Sequence, residues 1–254
     1  LLALTIATAI AFMIARYSLH LTVRETGAAV FSTTCGNAIF VGIPIALAIE
    51  GWGSAFFILL ILEGTLVFAI GNALMTWPEQ TADHAPENNR AQHVKFGLIA
   101  GDAVARAIRS PVVIGLLLGL AAGSTNFPMA QPLADFFDLF THVSGPVGLF
   151  VLGVSAADLV LSGNATKLGG AARLLPIKLL LFPALTASFV WVLTRDPLTT
   201  TVAAFFTGLP PSVSSIVLAN VYGQWTRGVA GIVTVGTLIG LVSISAYLII
   251  VLPS

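Results

Sequence analysis

Charge is scarce in this chain. Only 9% of its 254 residues are Asp, Glu, Lys or Arg, against about 25% in soluble domains. So few charges cannot clothe a water-facing surface. With 57% apolar residues and a mean hydropathy of +0.97, most of the chain reads as membrane-embedded helix. Cysteine is nearly absent as well. Cys35 stands alone, which excludes an intrachain disulfide framework and a thiolate metal cluster. The ~10-residue alternating segments of a membrane β-barrel are missing. So are His-Glu-x-x-His, Gly-x-Ser-x-Gly and any pair of intramembrane carboxylates, leaving no catalytic constellation. The chain reads as a non-enzyme with no cofactor, no metal and no nucleic-acid partner.

What is present is a set of about eight apolar spans, at roughly 1–17, 26–50, 54–77, 108–124, 141–161, 173–194, 199–222 and 228–252. Residues 128–140 look amphipathic and are expected to lie at an interface before the fifth span begins. Ten of the eleven basic residues (Arg16, Arg24, Arg90, Lys95, Arg106, Arg109, Lys167, Arg173, Lys178 and Arg227) fall on one side of an up-down arrangement, and only Arg195 on the other. The positive-inside rule makes the first side cytoplasmic and puts the C-terminus outside. The polar stretch 78–95 is too rich in Pro, Glu, Asn and Asp to pack a core, so it opens a cytoplasmic linker over 78–107.

Two spans are interrupted. One carries Cys35-Gly-Asn37-Ala-Ile-Phe-Val-Gly42-Ile-Pro44, the other Gly208-Leu-Pro210-Pro211-Ser212. Proline removes an N–H and crowds the preceding turn, so breaks are expected near Pro44 and Pro210, with half-helices restarting there. Lipid cannot satisfy freed backbone groups, so broken helices belong where protein or a wet cavity surrounds them. The last three spans echo the first three as plain, broken, plain, and run in the opposite sense. That is the pattern of an inverted-repeat transporter with its site at the breaks.

These residues resemble the auxin efflux carrier family, which includes bacterial malonate and other organic-acid permeases. Asn37 followed by Gly42-Ile-Pro44 is similar to the signature of the family's fourth helix. Leu209-Pro210 with Ala219 and Tyr222-Gly223 is similar to its ninth. Ser110-Pro111 through Gly115 and Gly145-Pro146 through Gly153 resemble its sixth and seventh. The resemblance implies an all-α membrane protein with ten helices in two inverted units of five, related to the bile-acid sodium symporters, in which helices four and nine cross at their breaks. On that mapping Leu1 starts helix three. Residues 1–77 are then the first repeat without its first two helices, 108–161 scaffold helices six and seven, and 162–254 transport-domain helices eight to ten. Gly115, Gly119 and Gly123 form a small-residue face on scaffold helix six, expected to pack against another helix or, in a scaffold homodimer, a second protomer.

The chemistry expected of the breaks is anion binding. Bare N–H groups at a half-helix start carry about half a positive charge, and neither broken span contains Lys or Arg. Asn37, Gly42, Pro44, Pro210, Ser212, Ser214, Ser215 and Asn220 are the candidate substrate-binding residues. Glu63, deep in the third span, is the candidate for coupling to H+ or Na+, since a lone intramembrane carboxyl suits reversible ion binding. The other reading of Glu63 is a neutral or paired group satisfying broken backbone. Lys178 is expected to snorkel to the inner interface, with substrate pairing as the lesser alternative. The function expected is secondary transport of mono- or dicarboxylates in a bacterial inner membrane. The alternatives are a sodium-coupled carrier of bile-acid-symporter type and a membrane sensor.

Overall fold

The computed structural model describes residues 1–77, 111–125, 128–161 and 172–251. The linker expected over 78–107 lies outside them, as does the return segment from 162. Among the described residues every regular element is a helix: α1 (Leu2–Ser18), α2 (Val23–Thr34), α3 (Ala38–Ala48), α4 (Trp52–Met75), α5 (Pro111–Ser124), α6 (Gln131–Leu161), α7 (Ile177–Thr194), α8 (Pro197–Gly208), α9 (Ser214–Tyr222) and α10 (Thr226–Val251). Three of them, α4, α7 and α10, are each long and apolar enough to cross a membrane unbroken. The pairs α2/α3 and α8/α9 are each interrupted by an extended stretch between their two halves.

Small residues let these helices close on one another. Ala3, Ala7, Ala11 and Ala15 recur every fourth position on α1 and are all buried, together with Ala29 and Val30 of α2 and Leu174, Ile177 and Phe182 at the start of α7. Close approach of this kind replaces the hydrophobic drive that lipid does not supply. From Thr26 to Thr34, α2 is buried on every face. A Cβ on Gly27 would fall 2.6 Å from Leu74 Cβ, and one on Gly71 would fall 2.5 Å from the Phe31 ring. The glycines therefore set the spacing of α2 against α4. A capping box starts α2: the Thr22 hydroxyl accepts the Glu25 N–H, and the Glu25 carboxylate accepts the Thr22 N–H at 2.9 Å.

Two expectations are corrected here. The fifth span does not begin at 141: from Gln131 the preceding stretch is continuous with it in one 31-residue helix, α6, about 46 Å long at 1.5 Å per residue. Pro146 lies inside that helix without ending it. The first break does not fall at Pro44 either. Ile43 keeps helical angles (φ −58, ψ −50), and the break lies at Cys35 (φ −77, ψ 121) and Asn37 (φ −78, ψ 58), with α3 restarting at Ala38. Pro44 is tolerated because the turn before it, Ala38–Gly42, is a π-helical turn, whose longer reach frees the bond a proline cannot make. The same device, Ile177–Leu181, precedes Pro183 in α7. The second break does follow its prolines. Leu209 is extended (φ −54, ψ 146), as the residue before a proline prefers to be, and α9 restarts at Ser214, four residues beyond Pro210.

Candidate site at the crossed breaks

The two breaks lie side by side and antiparallel, with Gly36 opposite Pro211. The Asn37 N–H donates to the Pro210 carbonyl at 2.7 Å, and the Ser212 N–H donates to the Cys35 carbonyl at 3.1 Å. In this pairing Gly36 and Pro211 direct their own polar groups away from each other. Pro211 has no N–H to satisfy. Its ring and that of Pro210 sit on α10, where a Cβ at Gly236 would fall 2.6 Å from Pro211 Cγ and one at Gly240 3.0 Å from Pro210 Cβ. Gly36 does have an N–H, and Glu63 Oε1 accepts it at 2.7 Å. One break is thus seated on glycines and the other on a carboxylate.

Lys178 completes this frame and corrects the expectation that it snorkels. It is fully buried, its Nζ donates to the Thr34 carbonyl at 3.3 Å and lies 5.4 Å from the Phe182 ring centroid. It faces inward because α2 ends there: the carbonyls of a last helical turn lack intrahelical partners and carry partial negative charge, which an ammonium offsets. The amides are consequently not the main source of positive potential at the breaks, as the lack of Lys and Arg within those spans had suggested. Lys178 brings a basic group to the break from a neighbouring helix. Glu63 and Lys178 do not form an ion pair among the described residues; each holds the backbone between Thr34 and Gly36 separately.

Beside this crossing lies a cavity of ≈ 330 Å³, at the small end of the range of ligand pockets. Its polar wall is Asn37, Glu63, Ser212 and Ser214, and its apolar wall includes Phe40 and Phe68. The start of α3 opens into it. Asn37 O takes the N–H groups of Val41 and Gly42 at 3.1 and 3.2 Å, so those of Ala38, Ile39 and Phe40 precede the first intrahelical bond and have no acceptor within the helix. The Asn37 side chain is 3% exposed, makes no capping bond, and has no hydrogen-bond partner among the described residues. A carboxamide at the cavity wall beside open amides presents N–H donors to an acceptor in the cavity.

The remaining candidates separate. Ser212 Oγ accepts the Ser214 N–H at 3.2 Å, a bond within the turn just ahead of α9, whose N-cap is Val213. The hydroxyl of Ser215 is buried and unpartnered, but it does not line the cavity. Gly42 is a packing residue, since a Cβ there would fall 2.5 Å from Phe56 Cζ and 2.8 Å from Leu209 Cδ1. Pro44 is exposed, one turn beyond the cavity, while Pro210 is buried in the crossing. Asn220 is exposed near the end of α9 and returns its amide to the Ile216 carbonyl at 2.9 Å. Gly36 and Phe68 were not anticipated. A glycine flanked by Cys35 and Asn37 just after the hydroxyl run Ser32-Thr33-Thr34 was the available sign for the first. The described residues hold no group of three or more metal-ligating side chains.

The family model described as membrane transport protein matches residues 1–248. No curated protein matches the chain.

Proposed function

The chain belongs to the auxin efflux carrier family of membrane transport proteins, and from that premise we propose that it carries small organic anions across a bacterial inner membrane. The substrates are mono- or dicarboxylates, malonate among them. The carrier works by alternating access, with the inverted units in 1–77 and 162–254 moving around their crossed breaks against the helices of 108–161. The observation that carries this reading is the carboxamide of Asn37, a residue 3% exposed, which has no hydrogen-bond partner among the described residues and lies beside the open amides of α3 in one cavity. Ser214 supplies a further hydroxyl there.

Direction follows from charge. An inside-negative potential favours anion export by about 2.3 kcal/mol per charge per 100 mV. Import therefore requires a coupled H+ or Na+, and Glu63 binds it. The test is uptake of labelled malonate and other carboxylates into proteoliposomes holding the full-length protein, under an imposed pH or sodium gradient. Uptake by the wild type that is lost in Asn37→Ala, with helix content and melting unchanged, is the expected result. Binding of carboxylates without flux would instead identify a sensor.

A further inference from the structure

The cavity wall carries a carboxylate of its own. Glu63 is 8% exposed, lines the cavity, and accepts the Gly36 N–H through Oε1 at 2.7 Å. Gly36 is two residues before α3, whose open amides and partial positive charge attract an anion. Among the described residues, Glu63 is the one acidic residue on the cavity wall. The other ionisable groups near it are Lys178, engaged with the Thr34 carbonyl, and the Cys35 thiol, whose Sγ lies 3.9 Å from the Gly36 carbonyl oxygen. One ammonium and one carboxylate therefore bracket the break. A second carboxylate would enter with nothing to balance it. At ~4 Å and an effective dielectric near 20, that like charge costs on the order of a thousandfold in affinity.

We propose that Glu63 is a tethered occupant of the anion site: its carboxylate holds the Gly36 amide in the substrate-free carrier, and a substrate carboxylate replaces it there only as Glu63 takes up a proton. The proton comes from water and resides on a Glu63 oxygen. The group changes from acceptor to donor, releases the Gly36 N–H, and offers its O–H to the incoming anion. Binding of one carboxylate and uptake of one proton are then a single event. Because this deepens the anion-carrier reading, it rests on that reading.

The test uses the full-length protein in proteoliposomes with labelled malonate. Glu63→Gln fixes the site in the uncharged form. Its KM at pH 8 is expected to fall about tenfold or more below that of the wild type and to lose its pH dependence. Counterflow exchange persists, while accumulation driven by a pH gradient disappears. A Glu63→Gln carrier whose KM is unchanged or higher, or remains pH-dependent, overturns the proposal even if accumulation is lost. Proton uptake is also measured on the wild type, by titrating malonate calorimetrically in buffers of different ionisation enthalpy. About one proton per bound anion above pH 7 is expected, and none overturns the proposal without recourse to a variant. A wild type that neither binds nor moves any carboxylate sinks the anion reading itself, and this proposal with it.

Discussion

Glu63 and Lys178 grip the same short piece of backbone from two different helices. Glu63 Oε1 takes the N–H of Gly36 at 2.7 Å, and Lys178 Nζ gives a hydrogen bond to the carbonyl of Thr34 at 3.3 Å. Opposite charges are thus spent on the opposite polar groups of an unwound peptide, not on each other. Lipid offers no other partner for those groups.

Removing the ammonium is therefore expected to be costly. Lys178→Met keeps much of the chain length but leaves the Thr34 carbonyl unsatisfied. A charge-assisted bond of this type contributes about 1.5–3 kcal/mol. The melting temperature in detergent should drop by several degrees, and a variant melting with the wild type would show that the contact does not stabilise the fold.

The glycine seat on α10 can be filled. Gly236→Ala drives a methyl to 2.6 Å from Pro211 and 2.7 Å from Leu175, whereas Gly240→Ala meets Pro210 at 3.0 Å. Overpacking costs about 1–3 kcal/mol, so both variants lose stability and Gly236→Ala loses more. Melting of the two side by side checks the order.

At the far end of α4, the Tyr222 hydroxyl donates to Asn72 Oδ1 at 2.6 Å, and Asn72 is 1% exposed. Tyr222→Phe keeps the ring and strands that buried acceptor, at about 1–3 kcal/mol. Adding Asn72→Leu to Tyr222→Phe should recover part of the loss, as both partners are then apolar. No recovery would mean that Asn72 acts through its own bond to the Phe68 carbonyl.

Between α7 and α8, Asp196 caps α8 by accepting the Thr199 N–H at 2.9 Å and the Thr199 hydroxyl. These bonds hold its carboxyl below the ordinary carboxylate range, the hydroxyl bond contributing most. A carboxyl depressed on folding stabilises at pH above its unfolded value and loses that contribution as pH falls through the folded one. The Asp196→Asn variant, still a good cap, should match the wild type near neutrality and show a shallower loss of melting temperature between pH 5 and 3.

The sequence carried the architecture because its signals are long. Twenty apolar residues state a helical span whatever their neighbours do. It also marked both interrupted helices and singled out Asn37 and Glu63. Where it misled, the cause was a local rule overruled by an unseen neighbour. Pro44 alone says break, but a π-helical turn absorbs it, and the unwinding moves to Cys35–Asn37, where a glycine amide can reach Glu63. Lys178 alone says interface, but the terminal carbonyls of α2, distant by 144 positions, draw it inward. Hydropathy contains no term for either partner.

The two backbone bonds joining Asn37 to Pro210 and Ser212 to Cys35 also limit how anything here can move. They act as a rivet between four half-helices, so sliding one of them alone would shear two buried hydrogen bonds with no solvent to heal them. Any displacement along the membrane normal has to take α2, α3, α8 and α9 together, with the cavity riding as cargo space inside the block.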